Sequence, residues 1–354
     1  MTLIEKLENN ERLSYEDGVA LYELDLFTLG HYANMRRRAR HGNKAFFNIN
    51  RHINPTNICK DICKFCAFSA NRKNPNPYTM SHEEILSILD DSVTNRGITE
   101  VHIVSAHNPD TGLEWYLEIF SKVKARFPHL HVKALTAAEI HFLSEQYGLS
   151  VDAVIEKMLE YGVDSMPGGG AEIFDEEVRA YVCKGKVTSQ EWLDIHQKWH
   201  EKGKQSNATM LFGHVETREH RIDHMLRLRT LQDKTGGFNA FIPLVYQREN
   251  NYLHVKDFLS STEILKTYAI SRLMLDNIAH IKAYWATSTI NLALVALEYG
   301  ADDLDGTIEA EAIQSAAGAQ SAKGLKLETF IELIETSRFT PVERDSLYNE
   351  IKTY

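Results

Sequence analysis

Cys59-Lys60-Asp61-Ile62-Cys63-Lys64-Phe65-Cys66 holds three of the chain's four cysteines within eight positions. Just before it, Phe46 to Ile53 alternates well enough for a first β-strand, so the thiols sit on a loop at a strand end. Thiolates favour iron–sulfur clusters, zinc or copper(I), and an iron–sulfur cube is ordinarily held by four cysteines. Three in a C-x3-C-x2-C run leave one corner without a local ligand and open to a small molecule. The run therefore predicts a [4Fe-4S] cluster with one exchangeable iron. Structural zinc is the rival reading. It needs a fourth ligand from Cys183, His52 or another histidine, and zinc ligands more often come as two separated C-x2-C knuckles, so the spacing favours the cluster. Cys183, in a helical or loop segment, reads as a spectator far from the cluster.

Outward from this loop, strand and helix patterns alternate. Strands are predicted at Glu100–Ser105, His131–Leu135, Val163–Met166, Ser206–Phe212, Phe238–Pro243, Ile278–Ala283 and Ala301–Asp305. Helices fall between them, at Glu114–Phe127, Ser189–Lys202, Arg218–Thr235 and Thr262–Leu275 among others; Ser81 with Glu84 opens an earlier one as a capping box. With the strand at Phe46, eight βα units predict an α/β fold, a TIM-type (β/α)8 barrel. A partial six-stranded barrel is the alternative, because the last two strands are the weakest. The expected organisation is a helical N-terminal extension over 1–45, the barrel over 46–310, and a helical C-terminal segment over 311–354 packed on the barrel.

The 354 residues carry a formal net charge of −10, which argues against nucleic acid and anionic membrane as partners. Arg36-Arg37-Arg38-Ala39-Arg40 is the basic exception, and its helical setting predicts a solvated face rather than a phosphate grip. No apolar run approaches the ~18 residues of a membrane span, the N-terminus is charged where a signal peptide is apolar, and clustered free thiols suit a reducing cytoplasm.

In a parallel barrel, chemistry gathers at the C-terminal mouths of the strands. Ser105-Ala106-His107-Asn108 follows strand two, and Pro167-Gly168-Gly169-Gly170-Ala171-Glu172 follows strand four. Three glycines either let backbone approach a ligand or simply make a tight turn, and neither a P-loop nor a dinucleotide fingerprint is present. Gly213-His214-Val215-Glu216 follows strand five. His280 and Lys282 alternate onto one face of strand seven, which suits an anion inside the barrel; a lone strand histidine is otherwise a hydrogen-bonded core residue. Asp302, Asp303 and Asp305 either cap a helix or pair with those cations.

The cysteine spacing, with an aromatic residue before the last thiol, resembles the radical S-adenosylmethionine (SAM) superfamily, where SAM's amino and carboxylate groups chelate the fourth iron. Further segments narrow the resemblance: Asn54–Cys59, Cys63–Ser69, Thr99–Val104, Asp164–Phe174, Ser206–Leu211, Leu273–Ile278 and Gly300–Thr307 together are similar to the aminofutalosine synthase family of the futalosine route to menaquinone. Dehypoxanthine futalosine cyclase, a sister, shares the cysteines and the glycine triplet. The wording Cys-Lys-Phe-Cys-Ala-Phe-Ser and Ser-Asn-Ala-Thr-Met-Leu favours the synthase.

The resemblance implies a deoxyadenosyl radical, made from SAM with one electron, that adds to the vinyl carbon of 3-[(1-carboxyvinyl)oxy]benzoate. Rearrangement and decarboxylation then give 6-amino-6-deoxyfutalosine, and SAM is consumed as a co-substrate. It also implies an electron donor such as flavodoxin or ferredoxin. Cys59, Cys63 and Cys66 take the cluster. Phe65's backbone faces the adenine, Ser105, Gly168 and Gly169 contact SAM, and Glu172 and Glu216 either hold SAM's ribose hydroxyls or amino group or serve the structure. The substrate's two carboxylates demand cationic or N–H donors, because an unpaired buried carboxylate is costly. His280, Lys282 and His214 are the catalytic candidates, and Arg248 is the substrate-binding one.

Overall fold

The computed structural model describes residues 1–308, 312–321 and 324–354. Its centre is a closed ring of eight parallel strands. The first is bent: Lys44–Asn48 and Asn50–Ile53 are separated at Ile49, and the two halves have different neighbours. The lower half pairs with Asp303–Gly306, the upper half with Glu100–Ile103. From there the ladder passes through His131–Ala134, then by bridges at Lys133–Ser165 and Met166–Ser206 to Ser206–Phe212. Phe238–Val245 and His280–Ile281 follow, and a bridge from Lys282 to Asp303 closes the circle. The six-stranded alternative is thereby excluded. Of the two strands that read most weakly, the seventh is only His280–Ile281, while the eighth runs over Asp303–Gly306.

Between strands the helices begin where the chain supplies caps. Ser81, Thr136 and Thr188 each accept from the N–H three residues on, and Glu84, Glu139 and Glu191 return the bond. Helix Arg218–Thr235 stops at Gly236, whose φ of 63° favours glycine. Among the described residues no helix is long and apolar enough to cross a membrane.

The two ends of the chain close the bottom of the barrel. Of the helices in residues 1–45, Leu26–His41 is the longest, and it packs along the outer helix Ser261–Met274. Its arginines are the expected solvated face only in part: Arg38 and Arg40 are exposed, and Arg36 is half-buried. Arg37 is fully buried, donating to Ala301 O and Gly42 O, while Arg36 and Arg40 donate to Leu273 O and Ile278 O. They satisfy carbonyls at the ends of neighbouring elements, which no local pattern encodes.

The C-terminal segment also differs from its expected helical form. One helix, Leu327–Thr336, is followed by strand Thr340–Arg344, parallel to the lower half of strand one, and by Glu350–Thr353 running back antiparallel. The hairpin escapes an alternation test because Pro341, Glu343 and Arg344 are buried where apolar residues would be read. Its connection carries Arg344 to Asp303 (Nε to Oδ2, 2.7 Å), Ser346 to Glu100, and Tyr348 onto the His280 ring at 3.6 Å. The expected boundary at 310/311 lies outside the described residues.

Candidate active site

A cavity of about 300 Å³ opens at the C-terminal mouth of the barrel. Cys59, Cys63 and Cys66 line it together with Phe65, the glycine triplet and Lys282. The cysteine loop is held by backbone bonds on both sides: Lys60 N donates to His107 O (3.0 Å) and Lys64 N to Val182 O (2.8 Å). Ile62–Cys63 also forms a short antiparallel ladder with Cys183–Lys184, so Cys183 stands opposite Cys63. It is not far from the cluster loop, as the sequence suggested. Its side chain, however, packs with Val182, Leu211, Tyr246 and Leu253 and does not line the cavity.

The three lining sulfurs suit a cluster better than one ion. A zinc ion at 2.3 Å from each thiolate draws sulfurs to about 3.8 Å of one another. Among the described residues, no three cysteine sulfurs lie all within 4.8 Å of one another. An inorganic cube, with one sulfur at each iron corner, holds them farther apart. Burial pushes the Cys59 thiol up and the Cys63 thiol well up, so a bound metal is what would draw these groups into thiolate form. With three ligands on one side and open cavity on the other, the set fits a [4Fe-4S] cluster with one iron left to a small molecule.

Charged groups missed in the sequence surround the loop. Asp61, inside the cysteine run, lies 2.7 Å from His107 Nδ1, and the imidazole stacks on Phe142 with ring centroids 4.9 Å apart. Burial raises Asp61, and the bond to His107 more than offsets this, leaving its carboxyl below the usual range. Lys186 donates to Glu172 Oε1 at 2.7 Å, and both line the cavity beside Phe65 and Cys63. Burial disfavours the Lys186 charge, yet Glu172, Cys63 and Cys183 together push its pKa well up, so it stays a cation. The signal available was Cys183-Lys184-Gly185-Lys186, a basic turn whose place beside the cysteines only the tertiary fold reveals.

Ser105, Gly168, Gly169 and Glu172 line the cavity as a group. Ser105 N donates to Glu139 Oε1 at 2.8 Å, and the same carboxylate accepts from Thr136 N at 2.7 Å. Burial raises Glu139 to about 7. The triplet's carbonyls are turned into the scaffold: Gly168 O accepts from Thr209 Oγ1 (2.6 Å), Gly169 O from Trp192 Nε1 (3.2 Å) and Gly170 O from Arg179. The edge left toward the cavity is the N–H edge, suited to an anionic or carbonyl ligand. A Cβ at Gly168 would stand 2.7 Å from Asn207 O and 2.9 Å from Ala208 C, both backbone atoms that cannot swing aside. Gly168→Ala is therefore expected to cost about 1–3 kcal/mol of stability and to weaken SAM binding. A melting scan and a SAM titration of the reconstituted protein check both.

The floor of the cavity carries two lysines, each paired with a carboxylate. Lys282 Nζ donates to Asp305 Oδ1 (2.7 Å), and Lys133 Nζ to Glu100 Oε2 (2.6 Å). His52 and His102 stand beside them, ring to ring at 4.7 Å, and burial, helped by His52, holds His102 well below its ordinary pKa and so neutral. Lys133 and His102 were legible only as strand residues.

Four residues singled out from the sequence lie outside this cavity. His280 sits beneath it, its Nδ1 2.6 Å from Asp302 Oδ2 and its ring between Tyr348 and His41. His214 folds back onto its own turn, with Nε2 3.1 Å from Leu211 O. Glu216 accepts from Gly213 N, His214 N and Arg221, which pins the turn after strand five. Arg248 donates to Val255 O and Lys256 O and stacks on Phe258. All four are engaged in local structure, which residue type and strand-end position could not distinguish from ligand contact.

Residues 53–228 match the radical SAM superfamily, and residues 235–353 match the CofH/MqnC C-terminal region. Aminodeoxyfutalosine synthase of Thermus thermophilus is 42% identical, covering 99% of this chain and 96% of that protein. Cyclic dehypoxanthine futalosine synthase of Streptomyces coelicolor is 35% identical over 99% of this chain and 88% of that one. Among solved structures, methylornithine synthase superposes with a TM-score of 0.77 at 18% identity, covering 96% of this chain and 97% of that one, a likeness of fold.

Proposed function

The chain belongs to the radical SAM superfamily, in the group that carries the CofH/MqnC C-terminal region, and on that premise we propose that it is an aminodeoxyfutalosine synthase of menaquinone biosynthesis. The reaction is addition of SAM's 5′-deoxyadenosyl group to 3-[(1-carboxyvinyl)oxy]benzoate, with rearrangement and decarboxylation, to give 6-amino-6-deoxyfutalosine. One observation carries the reading: a single cavity joins the three cysteines at its rim to two buried lysines at its floor. A dicarboxylate needs such a floor, and the lysines lie on the far side of the cavity's SAM wall.

When bound, the cluster and SAM supply the deoxyadenosyl radical; the protein supplies orientation and exclusion of water. Cys59, Cys63 and Cys66 hold the cluster. The N–H edge at Gly168 and Gly169, with Ser105 and Phe65, cradles SAM, and Glu172 with Lys186 offers both charge signs to its zwitterionic methionine end. Lys282 and Lys133 each have one carboxylate partner already, so an incoming carboxylate shares their remaining N–H donors. Asp305 and Glu100 keep the ammonium groups fixed. His52 and His102 line the same floor, His102 held neutral by burial. The electron comes from a cytoplasmic carrier such as flavodoxin or ferredoxin.

The test is anaerobic incubation of the reconstituted protein with SAM, the enol-ether substrate and dithionite. Adenosyl carbon incorporated into a larger product is expected. Stoichiometric free 5′-deoxyadenosine without that product would point instead to hydrogen abstraction, the chemistry expected of the cyclase. Lys282→Gln should raise the substrate KM by about tenfold to a hundredfold, the loss of one charge-assisted bond, while leaving SAM affinity unchanged.

A further inference from the structure

From the layout of charge around the cysteine loop, we infer that the outer surface over Cys63 is the docking site of a small acidic protein that delivers single electrons, flavodoxin being the probe. The inference rests on the reading above only for the need of an electron. Small molecules enter by the barrel mouth, so a protein carrier must approach from another side. Ile62–Cys63 is such a side: Ile62 is 76% exposed while the adjoining Cys63 lines the cavity, so the wall there is one residue thick.

Around Ile62 the surface has an apolar centre and a cationic rim. Tyr181 and Tyr252 are 50% and 40% exposed. Lys64 Nζ lies over the Tyr181 ring at 3.5 Å, and Lys73 Nζ over Tyr252 at 4.5 Å. Lys184 is the ladder partner of Ile62, and Tyr252 N donates to Lys64 O, so these residues form one continuous patch. Among the described residues none of Lys64, Lys73 and Lys184 has a carboxylate within 4 Å, whereas Lys44, Arg126, Lys198 and Lys202 elsewhere on the surface are ion-paired. Unpaired cations around exposed aromatics, on a chain of net charge −10, make a local site for an acidic partner where the rest of the surface repels one. In the encounter the carrier is oxidised by one electron, which passes inward at Cys63 to the cluster.

The experiment is a calorimetric titration of the anaerobic holoenzyme with flavodoxin at low and high salt, on the wild type and on Lys73→Glu/Lys184→Glu. This variant leaves the cysteine loop untouched. Wild-type binding should weaken with salt, and the variant should bind about tenfold or more weakly. Its dithionite-reduced cluster signal in electron paramagnetic resonance and its dithionite-driven turnover should match the wild type. Equal affinity in the variant, no flavodoxin binding, or binding indifferent to salt overturns the docking site. Absence of a cluster signal in the wild type would instead overturn the radical SAM reading, and the titration would still report on the surface.

Discussion

Cys63→Ser is expected to lose bound iron, visible colour and turnover to background, while Cys183→Ser retains all three. The two residues face each other in one short ladder, so the comparison holds local backbone nearly constant. What differs is access to the cavity: Cys63 lines it, and Cys183, packed among Val182, Leu211, Tyr246 and Leu253, does not. A serine hydroxyl is a hard, poorly ionised donor and does not replace a thiolate on iron. Two remaining cysteines cannot hold a cube that ordinarily takes four ligands. At Cys183 the substitution buries a hydroxyl in an apolar cluster, at a cost of about 1–3 kcal/mol, read as a lower melting temperature. Iron and sulfide analysis after anaerobic reconstitution, with circular dichroism to confirm folding, decides the matter. Iron lost from Cys183→Ser but kept by Cys63→Ser would refute the ligand assignment.

That contrast marks where sequence reading stops. The cysteine spacing exposed the ligands because they are close in the chain, and the βα rhythm exposed the barrel because each unit is local. Cys183 beside Cys63, and Lys186 beside Glu172, are products of tertiary folding with no short-range trace. His280 and Lys282 show a subtler limit. Alternation correctly places both side chains inward, but two residues advance about 6–7 Å along a strand. That step separates the cavity, where Lys282 lies, from the floor below it, where His280 packs between Tyr348 and His41. Periodicity gives the face of a strand and is silent about depth along the barrel. The C-terminal hairpin was hidden for a related reason: its inner strand buries Glu343 and Arg344, and Arg344 is stabilised by a partner from a distant strand.

Arg344 is the residue on which that hairpin turns, and Arg344→Met is expected to destabilise the fold by about 3–5 kcal/mol. Its guanidinium is 1% exposed, donates to Asp303 at 2.7 Å, stands 3.9 Å from Asp305 and lies over the Tyr348 ring at 4.3 Å. Burial alone would lower its pKa, and Asp303 more than reverses that, so the charge is held in place by its partner. Removing it strands the Asp303 carboxylate inside the barrel, and an uncompensated buried charge costs more than the pair contributes. The argument makes a second demand. Arg344→Met combined with Asp303→Asn removes both charges, so the double variant should recover much of the loss, and the two substitutions should be strongly non-additive. Urea unfolding of the wild type, both single variants and the double variant measures this coupling. Additive losses would mean that Arg344 acts through packing alone. The same cycle reaches the active site, because Asp305 also accepts from Lys282 at 2.7 Å. Loosening the floor should therefore raise the KM for the dicarboxylate before it alters SAM binding, linking the barrel's closure at the bottom to recognition at its mouth.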